Sequence, residues 1–318
     1  MKKRTTVAIL CAMAALILDS RCAADSAREA LSLCAKTLIP SLFPLFVLGG
    51  LLVPGLAGLR IPGVSRILGF PEGYFVLGCL GGYPLGAACI AQALERGELT
   101  GNDAERMMGL CSLCGPSFLF GVVGGILSLR EAALIFVVQL EAALLTAAFW
   151  PGGCKTGCLP SPQSVSFPDA VSRAVSSILS VCAWVTLAAV AAGFLRRWIF
   201  SLLPGGMAVV MTGLLELTNG IFASRGMPYE AQFILYALFC SFGGVSVLLQ
   251  IAGLSKGIRM GQCIAQKAVH GLLTCALALL WLRFGGLSLI LVPAALFVKI
   301  AVEIPGNMVY NVPRKEGI

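Results

Sequence analysis

Charged residues in this chain fall in short clusters, and between the clusters lie apolar runs long enough to cross a bilayer. About 20 apolar residues span the hydrocarbon core as a helix, and there the backbone can be satisfied only by helices or a closed barrel. The charge boundaries give ten segments: near Val7 to Ala24, Leu38 to Val53, Tyr74 to Leu94, Met107 to Leu129, Ala132 to Trp150, Ala174 to Leu195, Leu202 to Phe222, Ala231 to Leu254, Ala268 to Leu282 and Leu287 to Val302. Only 12% of the residues are charged, against about 25% in soluble domains. The fold class expected is an all-α polytopic membrane protein of about 8–10 membrane segments.

This reading removes whole classes of function. No loop can hold a separate soluble domain, and no phosphate-binding loop of recognisable spacing is present. The net charge of +8 belongs to loop orientation and not to nucleic acid. The 13 Cys lie mostly in apolar runs as small hydrophobes. Cys111 and Cys114 form a CxxC, but a single His and no second matching pair leave no zinc site. No metal, no cofactor and no catalytic residue is expected, and an enzyme reading lacks a paired His and acid motif. The basic start Met1 to Arg4 and the apolar run to Leu18 read as a signal or as an uncleaved first span. The membrane segments that follow favour the span.

The segments divide into five and five: residues 1–150, a Gly/Pro/Ser-rich linker at 151–173, and residues 174–318. An odd number per half places the halves in opposite orientations, the inverted-repeat arrangement of many secondary transporters. Leu80-Gly81-Gly82 before Ile90-Ala91-Gln92, and Phe242-Gly243-Gly244 before Gln250-Ile251-Ala252, give weak internal similarity that chance could also supply. If all ten segments cross from a cytoplasmic N-terminus, the inside loops hold thirteen Lys and Arg, Lys267 among them, against three acids. The outside loops hold nine of each, so the positive-inside rule is met.

Gly and Pro break several segments, and broken backbone at membrane depth survives only where it is buried or lines a cavity. The clusters are Pro40-Ser41-Leu42-Phe43-Pro44, Gly81-Gly82-Tyr83-Pro84-Leu85-Gly86, Cys114-Gly115-Pro116-Ser117, Leu217-Thr218-Asn219-Gly220 and Ser241-Phe242-Gly243-Gly244-Val245-Ser246. A half-helix start presents free amides that favour anionic groups. The residues expected to meet a solute are Ser41, Gly82, Tyr83, Pro84, Ser112, Gly115, Ser117, Glu216, Thr218, Asn219, Ser241, Gly243, Gly244 and Ser246. Acids and bases inside spans are the second signal, since each costs roughly 2.5–3.5 kcal/mol at the bilayer centre. Glu216 is the sharpest, the one charged residue between Arg197 and Arg225. It is expected in the site, as a proton or cation carrier or as an acceptor. Lys299 and Glu303 stand four apart and read as a structural pair, Glu141 faces the bundle, and His270 reads as an interfacial residue.

These motifs, taken in order, resemble the sporulation integral membrane protein family of spore-forming Firmicutes, within the group that carries a nucleoside-recognition (Gate) domain. The matching pieces are Gly81 to Ala87, Ala104-Glu105-Arg106, Cys114 to Gly121, Leu214 to Gly220 and Ser241 to Val247. Asn or Ser is usual just before Gly115, where Cys111-Ser112-Leu113-Cys114 stands. The resemblance implies a fold related to concentrative nucleoside transporters, with re-entrant hairpins. It also implies movement of dipicolinic acid, a planar pyridine dicarboxylate, across the mother-cell-derived outer forespore membrane. The expected function is a secondary transporter of a small anion in the bilayer, as a monomer or homo-oligomer. The alternatives are a nucleoside-type transporter and a non-transporting gate or scaffold subunit that acts with a partner.

Overall fold

The computed structural model describes residues 3–56, 64–70, 72–95, 99–150, 165–254 and 258–287, and among them all regular structure is helical. In chain order the helices are α1 (Lys3–Leu18), α2 (Ser20–Leu33), α3 (Ile39–Leu56), α4 (Val64–Leu68), α5 (Glu72–Gly81), α6 (Leu85–Glu95), α7 (Gly101–Leu110), α8 (Pro116–Phe118), α9 (Gly124–Ile126), α10 (Leu129–Phe149), α11 (Phe167–Trp198), α12 (Gly205–Leu215), α13 (Leu217–Ala223), α14 (Tyr229–Phe242), α15 (Gly244–Leu254) and α16 (Met260–Phe284). Five-residue π-helical turns at Cys34–Leu38 and Leu119–Val123 join α2 to α3 and α8 to α9.

The protein is an all-α polytopic membrane protein. Four stretches among the described residues are long and apolar enough to cross: Leu129–Phe149, Phe167–Trp198, Tyr229–Leu254 and Met260–Phe284. A fifth is the pair Ser20–Leu38 and Leu42–Leu52, bent by 57°. Large apolar side chains on these helices face outward, Leu179 and Leu187 on α11 and Leu272 and Leu279 on α16, as lipid contact requires.

The other expected segments are not single crossings. The stretch near Tyr74 to Leu94 is a hairpin of α5 and α6: a Cβ on Gly86 would stand 2.9 Å from Gly78 Cα, whereas eight residues of continuous helix cover about 12 Å. The stretch near Leu202 to Phe222 is a hairpin of α12 and α13, in which a Cβ on Gly220 would overlap Gly213 Cα. Legs of 7–11 residues reach about 10–16 Å, half of the hydrocarbon core or less. Each hairpin therefore enters and returns, so loops between the hairpins and their neighbours do not alternate sides as ten crossings would require. The stretch near Met107 to Leu129 is interrupted at 111–115, and Val7 to Ala24 at Asp19, which pairs with Arg197 on α11 at 3.0 Å. The segment near Leu287 to Val302, with Lys299 and Glu303, lies outside the described residues.

Three helix starts carry the same cap. Thr100, Ser128 and Ser166 precede α7, α10 and α11, and each hydroxyl accepts a backbone N–H from the first turn while bonding the acid three residues on, Asp103, Glu131 and Asp169. The spacing is that of a capping box, but the acid three residues on accepts from the cap hydroxyl and not from the cap backbone N–H. In the interior, α10 packs on α16 and α14, and α11 packs on α2 and α3. The order of hairpin, interrupted helix and full span occurs twice, in 72–149 and in 205–284. The two Gly-Gly pairs of the sequence comparison occupy different parts of that order: Gly81-Gly82 at a hairpin tip, Gly243-Gly244 at a helix break.

Candidate functional site

Each hairpin tip rests on the break of the interrupted helix that follows it. At the first, Gly82 has φ of 68°, and a Cβ there would stand 2.7 Å from Gly115 N. Only glycine accepts both that backbone and that approach. At the second, Gly244 has φ of 83°, and a Cβ would lie 3.1 Å from Leu215 O and 3.2 Å from Glu216 Cα. Gly-rich segments in an apolar chain thus have a geometric cause: backbone meets backbone with no room for a side chain.

The two tip-and-break pairs converge on one cavity of about 40 Å³, room for about three waters. Its polar wall comes from Tyr83 on the first tip, Ser117 after the first break, Glu216 and Thr218 on the second tip, and Gln250 on α15. Leu38, Val181, Val185, Phe118 and Val247 supply the apolar wall. Glu216 is 2% exposed. It has extended backbone between α12 and α13, and its Oε2 accepts the Asn219 N–H at 2.7 Å, capping α13 from inside the bundle. Among the described residues no basic side chain pairs with it. Three polar atoms near this wall lack hydrogen-bond partners among the described residues: Gln250 Oε1, Ser246 Oγ and Asn219 Nδ2. Ser246 and Gln250 are one turn apart on α15, 3% and 5% exposed.

A second polar cluster lies behind Tyr83. Lys267 on α16 is fully buried and donates to Ser112 O at 2.7 Å and to Tyr83 Oη at 2.9 Å. The Tyr83 hydroxyl in turn lies 3.1 Å from Cys240 O and 3.2 Å from Ser241 O. His270, one turn on, sets its two ring nitrogens 3.1 Å from Ser241 O and 2.9 Å from Gln139 O, and Gln139 donates to Cys114 O at 2.7 Å. The carbonyls that both helix breaks leave without helical partners are thus taken up by side chains of α10, α16 and the first hairpin tip.

This placement corrects two readings. Lys267 is not a loop residue and His270 is not interfacial, because α16 begins at Met260 and carries both into the interior. Boundaries drawn at charges start that span eight residues too late, at Ala268 and not Met260. The missed signal is a polar stripe at helical spacing, Cys263, Lys267, His270 and Thr274, all buried on one face.

Of the residues expected from sequence, Gly82, Tyr83, Gly115, Ser117, Glu216 and Thr218 line the cavity. Asn219, Gly243, Gly244 and Ser246 surround it: Gly243 abuts the Tyr83 hydroxyl and Gly244 abuts the Glu216 backbone. Pro84 follows Tyr83 through a cis peptide and is buried away from the lining. Ser112 and Ser241 turn their hydroxyls back to Met108 O and Ala237 O, at 2.6 Å each, and they serve the second cluster through their carbonyls. The Ser41 side chain lies outside the described residues. Glu141 is half-buried, with Oε2 lacking a hydrogen-bond partner among the described residues.

Compared with known proteins, the chain is 21% identical to the sporulation integral membrane protein YlbJ of Bacillus subtilis (strain 168), in an alignment covering 72% of this chain and 70% of that protein. No family model and no solved structure matches.

Proposed function

We propose that this chain is a secondary transporter that moves a small anionic solute, dipicolinate, across a membrane during spore formation. The observation that carries the reading is the convergence of two hairpin tips and two helix breaks on one buried cavity with polar groups still unpartnered. Broken backbone at this depth is costly unless it serves a pathway. Likeness to a sporulation integral membrane protein supports the setting, and with it a place in the outer forespore membrane.

The helices that start at the cavity, α6, the short run from Pro116 and α15, turn their N-terminal ends toward it, which favours an anion. The cavity as it stands is the size of a few waters and too small for a pyridine dicarboxylate, so the solute enters only when a hairpin moves away from its break. That motion is the alternating-access step, in which one tip-and-break pair opens while the other stays closed. We take the two halves, joined between α10 and α11, as inverted repeats that exchange these states. Glu216 would repel a dicarboxylate when ionised, so we assign it as the proton carrier that enters with the anion.

The test is uptake of labelled dipicolinate into vesicles containing the purified protein, with a nucleoside as competitor. Saturable uptake untouched by the nucleoside is the expected result. Inhibition by the nucleoside would favour the nucleoside-type alternative, and no uptake by folded, oriented protein would favour the gate or scaffold. Glu216→Gln is expected to insert normally and to lose flux at least tenfold, about 1.4 kcal/mol in the barrier. Wild-type flux in that variant would remove Glu216 from the mechanism.

A further inference from the structure

Lys267 presents a physical problem that the carrier reading leaves unanswered. Its ammonium is fully buried, and among the described residues no carboxylate pairs with it. A buried charge without a counter-charge is strongly unfavourable. Its hydrogen-bond partners are oxygens, Ser112 O at 2.7 Å and Tyr83 Oη at 2.9 Å, with the thiols of Cys263, Cys114 and Cys240 nearby and the Tyr83 ring centroid at 5.0 Å. Through Tyr83 it reaches Cys240 O and Ser241 O. These belong to the C-terminal ends of α7 and α14, whose dipoles bring partial negative charge to the same place. Unwound carbonyls and half-helix C-termini are the kind of ligand set that holds the coupling cation in carriers with discontinuous helices.

We propose that the Lys267 ammonium is a tethered cation, filling from within the chain the place where a diffusible monovalent cation would neutralise the carbonyl ends of the two interrupted helices. It satisfies the first break directly and the second through Tyr83, so one charge ties the two halves together. Because the charge is covalently held, no sodium ion loads or leaves here during a transport cycle. This consequence rests on the carrier reading, while the occupancy itself does not. Coupling must then act elsewhere, at Glu216 if the reading above is right.

The experiment is thermal unfolding of the purified full-length protein in detergent, in chloride salts of sodium, potassium, methylammonium or N-methyl-D-glucamine at constant ionic strength. The wild-type midpoint is expected to be the same in all four. Lys267→Ala opens the space and leaves the oxygens without a cation. Its midpoint is expected to fall in N-methyl-D-glucamine, which is too large to enter, and to recover by roughly 2–4 °C or more in sodium or methylammonium. Lys267→Ser opens the same space, adds a hydroxyl ligand, and is expected to show the same cation-dependent recovery. A wild-type midpoint raised specifically by sodium would overturn the proposal. So would variants indifferent to the cation, or failure to recover both variants folded in any of these salts. Vesicles without uptake would sink the transporter reading and leave this result standing, whereas indifferent variants in a protein that transports would do the reverse.

Discussion

The two tip-and-break pairs are built on the same plan but finished differently. In the first, hairpin α5–α6 meets the break at 111–115 through bare backbone, Gly82 on Gly115, and the break's carbonyls are taken by Lys267 and Gln139. In the second, hairpin α12–α13 ends in Glu216, and polar atoms of Asn219, Ser246 and Gln250 are left over around it. Buried polar groups are normally paired; behind the first break Gln139 Oε1 and the Gln266 side-chain amide also lack partners among the described residues, but they lie outside the cavity lining, so at the cavity the first pair is a finished joint and the second an unfinished one. The difference teaches which half holds the structure and which awaits a ligand.

The largest expected effect tests the finished joint. Gly82→Ala combines a positive φ with a Cβ 2.7 Å from the Gly115 nitrogen, and is expected to cost roughly 2–5 kcal/mol. Gly244→Ala shares the positive φ, but its Cβ would be 3.1 Å from Leu215 O, a tight contact with a smaller overlap than at Gly82. Its expected cost is roughly 1–2 kcal/mol. Denaturant or thermal unfolding of the two variants checks the order. A reversed order would mean that the second pair is the rigid one.

How far this asymmetry could be read from sequence depends on the residue. Glu216 stands out because a lone acid in a long uncharged run is costly at bilayer depth, although a structural acid capping a broken helix end, as it caps α13, gives the same pattern. The breaks stood out because Gly-Pro and Gly-Gly disrupt an otherwise periodic apolar pattern. The hairpins could not be told from spans by that pattern: two short legs and one crossing bury apolar residues alike, and a turn at Gly82-Tyr83-Pro84 reads as a kink until the legs are seen to touch. Lys267 escapes a sequence reading for the opposite reason: a charge reads as the edge of a span, while its partners, Ser112 O and Tyr83, lie more than 150 residues away. The repeat was sought between two Gly-Gly pairs that belong to different elements, since in this chain glycine marks close backbone contact wherever it occurs.

A smaller effect compares two glutamines. Gln139 donates to Cys114 O in the finished joint, although its own Oε1 lacks a partner among the described residues as that of Gln250 does, and Gln139→Leu strands that carbonyl at an expected cost of about 1–3 kcal/mol. Gln250 has an unpartnered Oε1 facing the cavity, so Gln250→Leu is expected to leave stability within about 1 kcal/mol of wild type. It should instead weaken solute binding by up to roughly tenfold, about 1.4 kcal/mol. Paired melting curves and uptake KM values separate the two roles. Equal destabilisation with unchanged KM would put Gln250 in the scaffold and end the contrast.

The smallest effect marks where the contrast stops. Thr100 and Ser166 cap α7 and α11 with the same hydroxyl-to-amide bond at 3.2 and 3.3 Å and the same kind of partner, an acid three residues on. Nothing in these caps distinguishes the halves, so Thr100→Ala and Ser166→Ala are each expected to cost about 1 kcal/mol, with no change in KM. Equality is the informative result, because it confines the difference between the halves to the tips and breaks. If Thr100→Ala proved clearly the more costly, the rigidity of the first half would extend along α7 from the break to the membrane surface. The unit that stays still during transport would then be the whole interrupted helix and not only its contact with Gly82.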